Sequence, residues 1–147
     1  MNATVLAGLA LVVSAPALKE PPKKPHELTG EWVMESTTVA GTTRPAPGGE
    51  LVYEFTKDEK WLIRRAEKEL AAANRGYKAD PKAETPTIDL MTDVTRPDVT
   101  RREGIYKIEG DTLTICLANV KQPRPTRFES TAGDRNLIYV LKRKKKD

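Results

Sequence analysis

The chain has very few of the residues on which nucleophilic and zinc-dependent chemistry depends. Among 147 residues it contains one histidine and one cysteine. Ser/His/Asp and Cys/His nucleophiles need a histidine base, and a zinc centre needs several histidine or cysteine ligands. His26 lies in a segment rich in proline and lysine, ahead of the main domain. This composition excludes those catalytic groups, a zinc centre and an internal disulfide.

Other signatures of catalysis and cofactor binding are also absent from the sequence. No glycine-rich phosphate loop occurs, and Gly48-Gly49 is typical of a turn. The acidic residues from Asp80 to Asp98 lack the spacing of a calcium loop and are interrupted by prolines. No pair of carboxylates stands out as the acid and base of a glycosidase. We therefore predict no catalytic residues, no metal, no cofactor and no enzymatic activity.

Positive charge is concentrated at the C-terminus. The formal net charge is +4 at pH 7, and the last six residues, five basic and one acidic, account for all of it. The rest of the chain is electrically balanced and shows no basic face that would indicate a nucleic-acid partner. The tail also lacks the interleaved aromatic residues that single-strand binding needs. We predict a solvated basic tail at 144–147 and no nucleic-acid partner.

An apolar segment opens the chain and ends in Ala15-Pro16-Ala17. Small residues at this spacing are typical of a signal-peptidase site, although no lysine or arginine precedes the apolar segment. Pro16 and the short length of the segment disfavour the alternative, an uncleaved membrane anchor. We predict a signal peptide at 1–17, a tether rich in proline and lysine at 18–27 and one domain at 28–143. The mature protein is then exported to the periplasm or the exterior, without a transmembrane span.

Alternation of apolar and polar residues dominates the predicted domain. Eight short segments with this period are separated by turn residues, which is the pattern of an antiparallel barrel or sandwich. They are 31–39, 51–55, 60–65, 76–79, 87–91, 104–108, 112–117 and 137–141. The stretch 41–49 between the first two is predicted as a turn because it is rich in glycine and proline. We predict an all-β, antiparallel, eight-stranded barrel.

One stretch after the second segment has a competing pattern. Trp61, Leu62, Ala66 and Leu70 recur at helical spacing, and 67–74 is rich in residues that favour helices. A helix over 59–74 is therefore the alternative. Our prediction is a strand at 60–65, followed by a short helical or loop insertion near 66–75.

Side chains on one face of the predicted strands form the candidate core. They are Trp32, Met34, Leu51, Tyr53, Phe55, Trp61, Ile63, Ile88, Leu90, Tyr106, Ile108, Leu113, Ile115 and Leu117, with either Leu137, Tyr139 and Leu141 or Ile138 and Val140 from the last strand. Cys116 lies in an apolar run and is predicted to be a small buried side chain, not a nucleophile. A barrel of eight strands is filled by side chains or holds one small ligand. So many large side chains favour a filled interior, and any remaining pocket would be apolar and lined by Tyr53, Trp61 and Tyr106.

A proline-rich loop at 121–128 holds the candidate polar contacts. It contains Arg124, Arg127 and Phe128, and its prolines restrict the backbone. Arg124 and Arg127 would stand at the rim of the barrel, where they would face an anionic group. The alternative is that these arginines pair with neighbouring acidic residues and that Phe128 closes the end of the barrel.

The motif Gly30-Glu31-Trp32 and several short motifs after it carry a family resemblance. The later motifs are Gly76-Tyr77-Lys78-Ala79-Asp80-Pro81, Pro86-Thr87-Ile88-Asp89-Leu90, Gly104-Ile105-Tyr106, Gly110-Asp111 with Leu113, Ile115 and Cys116, and Arg124-Pro125 before Phe128. In this order they resemble an uncharacterised lipocalin-like domain family abundant in planctomycete bacteria. The resemblance implies a lipocalin-like barrel and export, and it brings no reaction, ligand or functional residue. It also implies that Arg143 or Arg135 stacks on Trp32, as an arginine of the last strand does in lipocalins.

Three hypotheses for function follow. The first is an exported, non-enzymatic, lipocalin-like barrel that binds a small apolar ligand or a cell-envelope component. Its ligand would contact Tyr53, Trp61 and Tyr106, with Arg124 and Arg127 at the rim. The second is a filled barrel that acts as a protein-interaction or structural module, and the third is a hydrolase of the esterase or glycosidase kind. The sequence leaves the oligomeric state open.

Overall fold

The computed structural model describes residues 27–70 and 74–146, and its regular structure is almost entirely β-strand. The strands are β1 (Gly30–Val39), β2 (Thr42–Pro45), β3 (Leu51–Phe55), β4 (Trp61–Arg65), β5 (Lys68–Glu69), β6 (Gly76–Asp80), β7 (Thr87–Met91), β8 (Arg101–Glu109), β9 (Thr112–Leu117) and β10 (Leu137–Arg143). One helical turn, α1 (Pro97–Thr100), lies between β7 and β8. The predicted signal peptide at 1–17 and the tether at 18–27, apart from Glu27, lie outside the described residues. Within them, no helix has the length and apolar character needed to cross a membrane.

The ten strands belong to one antiparallel sheet that curls on itself. Along the sheet the order is β5-β4-β3-β1-β10-β9-β8-β7-β6, and β2 pairs with the end of β1. The two ends of this order meet at a bridge between Lys60 and Gly76, beside which the N–H of Tyr77 donates to the carbonyl of Glu59 at 2.8 Å. The described residues show no further strand pairing between these ends. The sheet is therefore a half-barrel, and in this form it confirms the predicted all-β, antiparallel, lipocalin-like architecture.

All eight predicted strands are present, but two more were missed. β2 lies in the stretch 41–49 that the sequence predicts as a turn, and β5 lies in the predicted insertion near 66–75. Ala66 and Glu67 have φ values of 47° and 62° and form the tight turn between β4 and β5, since a two-residue hairpin turn favours positive φ. The alternative helix over 59–74 is wrong, because Trp61–Arg65 is a strand paired with β3. Residues 71–73 lie outside the described part of the insertion.

The inner face of the half-barrel carries the core, and the predicted alternation places the core residues there. The buried set is Leu28, Trp32, Met34, Leu51, Tyr53, Phe55, Trp61, Tyr77, Ile88, Leu90, Tyr106, Leu113, Ile115, Leu117 and Leu141. Ile63 and Ile108, also predicted, pack against this set and stay partly exposed. On β10 the inward side chains are Leu137, Tyr139 and Leu141, so the first of the two alternatives for the last strand is correct.

Trp32 closes one end of the half-barrel. It is fully buried, and its indole N–H donates to the carbonyl of Leu28 at 2.9 Å. The guanidinium of Arg143 lies 4.1 Å from the centroid of its ring. The cation–π contact implied by the family resemblance is therefore confirmed for Arg143. It covers an aromatic face that would otherwise be open at the start of β1.

The long connection 118–136 packs against the outside of the sheet. Cys116 on β9 points outward and is fully buried, with its thiol 3.7 Å from the carbonyl of Glu129 in this connection. Burial raises the pKa of the Cys116 thiol, which keeps it protonated and unreactive. The prediction of a small buried side chain is thus confirmed. Phe128 lies under the ammonium group of Lys107 at 5.0 Å, on the outer face of β8 and not across the barrel end.

Candidate functional site

Two of the predicted binding residues, Tyr53 and Trp61, are neighbours on the inner face of the sheet. Their ring centroids are 6.2 Å apart and their planes differ by 10°, so the rings are stacked. Tyr139 on β10, two strands along the sheet from β3, approaches Tyr53 with ring centroids 5.6 Å apart. The indole N–H of Trp61 donates to the carbonyl of Met91 at 3.0 Å, which fixes the ring. We call Tyr53, Trp61 and Tyr139 the aromatic cluster.

Strand register explains how the aromatic cluster forms from distant parts of the chain. Tyr53 is opposite Ile63, and Trp61 is opposite Phe55, so alternate residues of β3 and β4 share the inner face. Tyr139 is opposite Ile115 of β9, a fully buried core residue. Side chains directly opposite one another in an antiparallel pair lie on the same face of the sheet. The cluster therefore lies inside the half-barrel.

Packing inside the half-barrel is uneven from end to end. Near Trp32, the inward residues Leu113 and Leu141 have no exposed surface, and Ile108, opposite Leu113, is partly exposed. At the opposite end, four inward apolar side chains pack on the core and remain partly exposed. These are Ala46, Ile63, Leu137 and Tyr139, and we call this region the open end. More inward apolar side chains are thus partly exposed at the open end than near Trp32, and within the aromatic cluster Tyr139 is partly exposed whereas Tyr53 and Trp61 are buried.

Two arginines stand next to the aromatic cluster. The guanidinium of Arg75, just before β6, lies 4.8 Å from the centroid of the Trp61 ring. Arg102 on β8 is opposite Leu90, a core residue, and so lies on the inner face. The positive charges of both arginines act to lower the pKa of Tyr139. Cationic groups therefore border an otherwise apolar and aromatic surface.

The tyrosine hydroxyls of the cluster remain protonated. Burial is the main cause that raises the pKa of Tyr53 far above its ordinary value, and the proximity of Tyr139 adds to it. Burial also raises the pKa of Tyr139, against the opposing influence of the Tyr53 hydroxyl and of the two arginines. A protonated phenol is both a donor and an acceptor of hydrogen bonds. The cluster therefore offers polar contacts without any negative charge.

Tyr106, the third predicted aromatic contact, lies apart from this cluster. It is buried on β8 and borders an open cleft of about 470 Å³. The cleft is lined by Glu27, Leu28, Thr29, Lys57, Glu59, Tyr77, Ala79, Pro81 and Tyr106. Tyr77 donates a hydrogen bond from its hydroxyl to the carbonyl of Thr56 at 2.7 Å, which holds that wall in place. The sequence thus grouped residues that the structure divides between two separate surfaces.

Arg124 is held against the outer face of the sheet and does not stand at the rim. One guanidinium nitrogen donates to the carbonyl of Gly104 at 2.6 Å and to that of Ile88 at 3.4 Å. Its other terminal nitrogen lies 2.8 Å from a carboxylate oxygen of Asp89 and 3.9 Å from one of Glu103. The alternative in which this arginine pairs with neighbouring acidic residues is therefore correct, and its role is to fasten the connection 118–136 to β7 and β8.

Arg127 is exposed in the same connection. It borders a polar, open cleft of about 630 Å³ that lies between 119–129 and 133–136. Because both segments belong to the outer connection, this cleft does not lead into the half-barrel. The prediction that Arg124 and Arg127 flank the mouth of an interior pocket was wrong about their position.

The sequence interpretation missed Arg75 and Arg102 as candidate binding residues. Arg102 could have been found, because it lies two residues before Gly104 and four before Tyr106 on the same alternating strand. Arg75 gave no such signal, since it lies in the insertion where no period was clear. Within the described residues, no group of three or more His, Cys, Asp or Glu side chains is placed to hold a metal ion.

Comparison of the chain with protein-family models, curated proteins and solved structures finds no match. No function can therefore be transferred from a relative. The features that bear on function are therefore the open end, the aromatic cluster and the two arginines.

Proposed function

We propose that this chain is a non-enzymatic, lipocalin-like protein that binds a small, mainly apolar molecule at the open end of its half-barrel. The ligand would contact Tyr53, Trp61 and Tyr139 of the aromatic cluster, together with Ile63 and Leu137. The observation that carries the proposal is the uneven packing of the inner face: among the described residues, the inward apolar side chains that stay partly exposed lie mostly at the open end, with Ile108 the exception near Trp32.

Physical chemistry supports a ligand at this end. The curled sheet shelters the exposed apolar surface that faces inward. A ligand that covers this surface removes it from water, which contributes about 25 cal/mol of binding free energy per Å². Rings already stacked against each other lose little conformational freedom when a ligand packs on them. A hydrogen bond from its indole N–H to the carbonyl of Met91 holds Trp61 in position before any ligand arrives. A preformed, mostly apolar surface with a few polar groups is the usual character of a small-molecule site.

Export and family membership belong to the same proposal. The apolar leader that ends at Ala17 and the lipocalin-like motifs support an exported protein whose ligand is a small apolar molecule or a component of the cell envelope. Secretion of the chain in its own cells, with a mature polypeptide that begins at Leu18, is the expected result. A polypeptide that still begins at Met1 would contradict cleavage.

Binding of the neutral fluorophore N-phenylnaphthylamine tests the proposed site, because its emission rises in apolar surroundings. We expect saturable emission with the natural chain. Leu137→Trp enlarges a side chain at the open end, and it should weaken binding by about tenfold, or about 1.4 kcal/mol. Ala79→Trp introduces the same side chain in the Tyr106 cleft and is the control, which should bind as the natural chain does. Circular dichroism establishes that both variants are folded.

Three results would contradict the proposed site. Absence of saturable emission with the folded natural chain would favour the second hypothesis, a filled module for protein interaction or structure. A loss confined to Ala79→Trp would move the ligand to the cleft that Tyr106 borders. An equal loss in both variants would show that enlargement itself, and not its place, weakens binding.

A further inference from the structure

Three arginines share the inner side of the open end. Arg102 is opposite Leu90, and Arg65 is opposite Leu51, so both lie on the same face as core residues. Arg75 reaches this region by covering the ring of Trp61. We call Arg65, Arg75 and Arg102 the arginine group. It places three positive charges around a surface whose other side chains are apolar or phenolic.

The arginine group has no acidic partners among residues 27–70 and 74–146. Two other arginines with partly buried side chains are paired: Arg64 with Glu31 and Glu54, and Arg124 with Asp89. No carboxylate lies within 4.0 Å of a nitrogen of Arg65, Arg75 or Arg102 in that part of the chain. Residues 71–73, which separate the described parts of the insertion, are alanines and so bring no carboxylate.

Some nitrogen atoms of this group are also buried without a hydrogen bond. They are Nε and Nη1 of Arg75 and Nε of Arg65, which have no partner in the described structure. A buried donor that makes no hydrogen bond destabilises the folded state, and a charged donor does so more strongly. Natural proteins rarely keep such groups in a core unless an ion or a ligand satisfies them. These donors point to an anionic acceptor.

We propose that the open end recognises the anionic group of an amphiphile, with Arg75 and Arg102 receiving the anion and the aromatic cluster contacting the apolar chain. This inference rests on the proposed function and specifies the class of its ligand. Carboxylate and phosphate share the required chemistry, because each presents oxygen acceptors to the planar guanidinium. The hydroxyls of Tyr53 and Tyr139 supply further donors to the same oxygens. Cationic amphiphiles are excluded by the charge of the arginine group.

Calorimetric titration of the full mature chain with four amphiphiles of equal chain length tests this inference. The probes are decanoate, decyl phosphate, decanol and decyltrimethylammonium, each below the concentration at which it forms micelles. We expect decanoate or decyl phosphate to bind at least about tenfold more tightly than decanol, as charge-assisted hydrogen bonds imply. The tighter of the two anions identifies the headgroup, and decyltrimethylammonium should bind least.

Variants of the arginine group separate a headgroup contact from a general effect of charge. Arg75→Met and Arg102→Met should each reduce the affinity for the preferred anion about tenfold and change the affinity for decanol less than about twofold. Arg75→Lys keeps the charge and should retain part of the preference. Arg101→Met is the matched control, because Arg101 directly precedes Arg102 on β8, faces outward and is exposed. This variant should bind as the natural chain does.

The outcomes distinguish the two proposals. If decanol binds as tightly as both anions, the site takes apolar molecules and the headgroup inference is wrong. If none of the four probes binds the folded chain, the proposed function itself fails. If Arg101→Met loses as much affinity as Arg75→Met and Arg102→Met, net charge is responsible and the arginine group is not the receptor.

Discussion

Gly104 shows how a single missing side chain supports the sheet. A Cβ at this position would lie 2.6 Å from the carbonyl oxygen of Cys116 and 2.6 Å from a methyl carbon of Leu117. One of these neighbours is backbone in a paired strand, so it cannot move aside without distorting β9. The carbonyl of Gly104 also accepts a hydrogen bond from the guanidinium of Arg124 at 2.6 Å. The residue therefore sets both the spacing of β8 and β9 and the anchor of the outer connection.

Gly104→Ala tests this close approach. We expect a loss of about 1–3 kcal/mol in the free energy of unfolding, because overpacking forces strands apart. Gly48→Ala is the control, since a Cβ there meets no atom within 4 Å. Urea unfolding of both variants measures the difference. Equal stability of the two variants would show that β8 and β9 adjust freely.

Single residues also show which parts of the candidate site could be predicted from the sequence and which could not. The inward positions of Tyr53 and Trp61 follow from strand alternation, which is a local property. The position of Arg75 over Trp61 depends on which strands meet across the curled sheet, and no local pattern encodes that. Arg124 was recognised as a candidate, but its acidic partner Asp89 lies on another strand, so its place on the outer face was not evident.

At the scale of elements, a short turn in the outer connection illustrates how polar side chains order a loop. A carboxylate oxygen of Asp134 accepts the N–H groups of Thr131 and Asn136, each at 2.9 Å. These backbone hydrogen bonds lower the pKa of Asp134. The turn leads directly into β10, the strand that carries Leu137 and Tyr139 of the open end. Its order therefore bears on the position of the proposed site.

Acid should loosen this turn before it unfolds the sheet. The pKa of Asp134 is lower in the folded than in the unfolded chain, so its contribution is present above the unfolded value near 3.9 and is lost as pH falls through the folded value. We expect the amide resonances of Thr131 and Asn136 to shift together on acidification below about pH 4. In Asp134→Ala these two resonances should no longer titrate together. An unchanged titration in that variant would contradict the role of this carboxylate.

Strands were predicted correctly where the alternation of apolar residues was uninterrupted. They were missed where turn residues dominate the sequence. β3, β7 and β9 have alternating or continuous apolar residues and were placed correctly. Because β2 is exposed along its whole length, its sequence shows no alternation of apolar and polar residues. It forms because the turn at 40–41 folds the chain back on β1, and pairing there needs backbone hydrogen bonds but no buried side chains.

Residues 27–70 and 74–146 form a curled sheet whose inner face is more closely packed around Trp32 than at the open end. Strand alternation in the sequence predicted which side chains face the interior. It could not predict how far the sheet closes into a barrel, because closure depends on how the two ends of the sheet meet. The described residues join these ends at Lys60 and Gly76. Tyr139 of the aromatic cluster and its neighbours at the open end stay partly exposed, and the proposed binding function depends on this property of the molecule.

Native mass spectrometry of the protein isolated from its own cells tests this claim most directly. We expect the folded chain to carry one small molecule, released on gentle activation, and Leu137→Trp made in the same cells to carry none. A folded natural chain that shows only the mass of its polypeptide, or a variant that retains the same bound mass, would contradict binding at the open end.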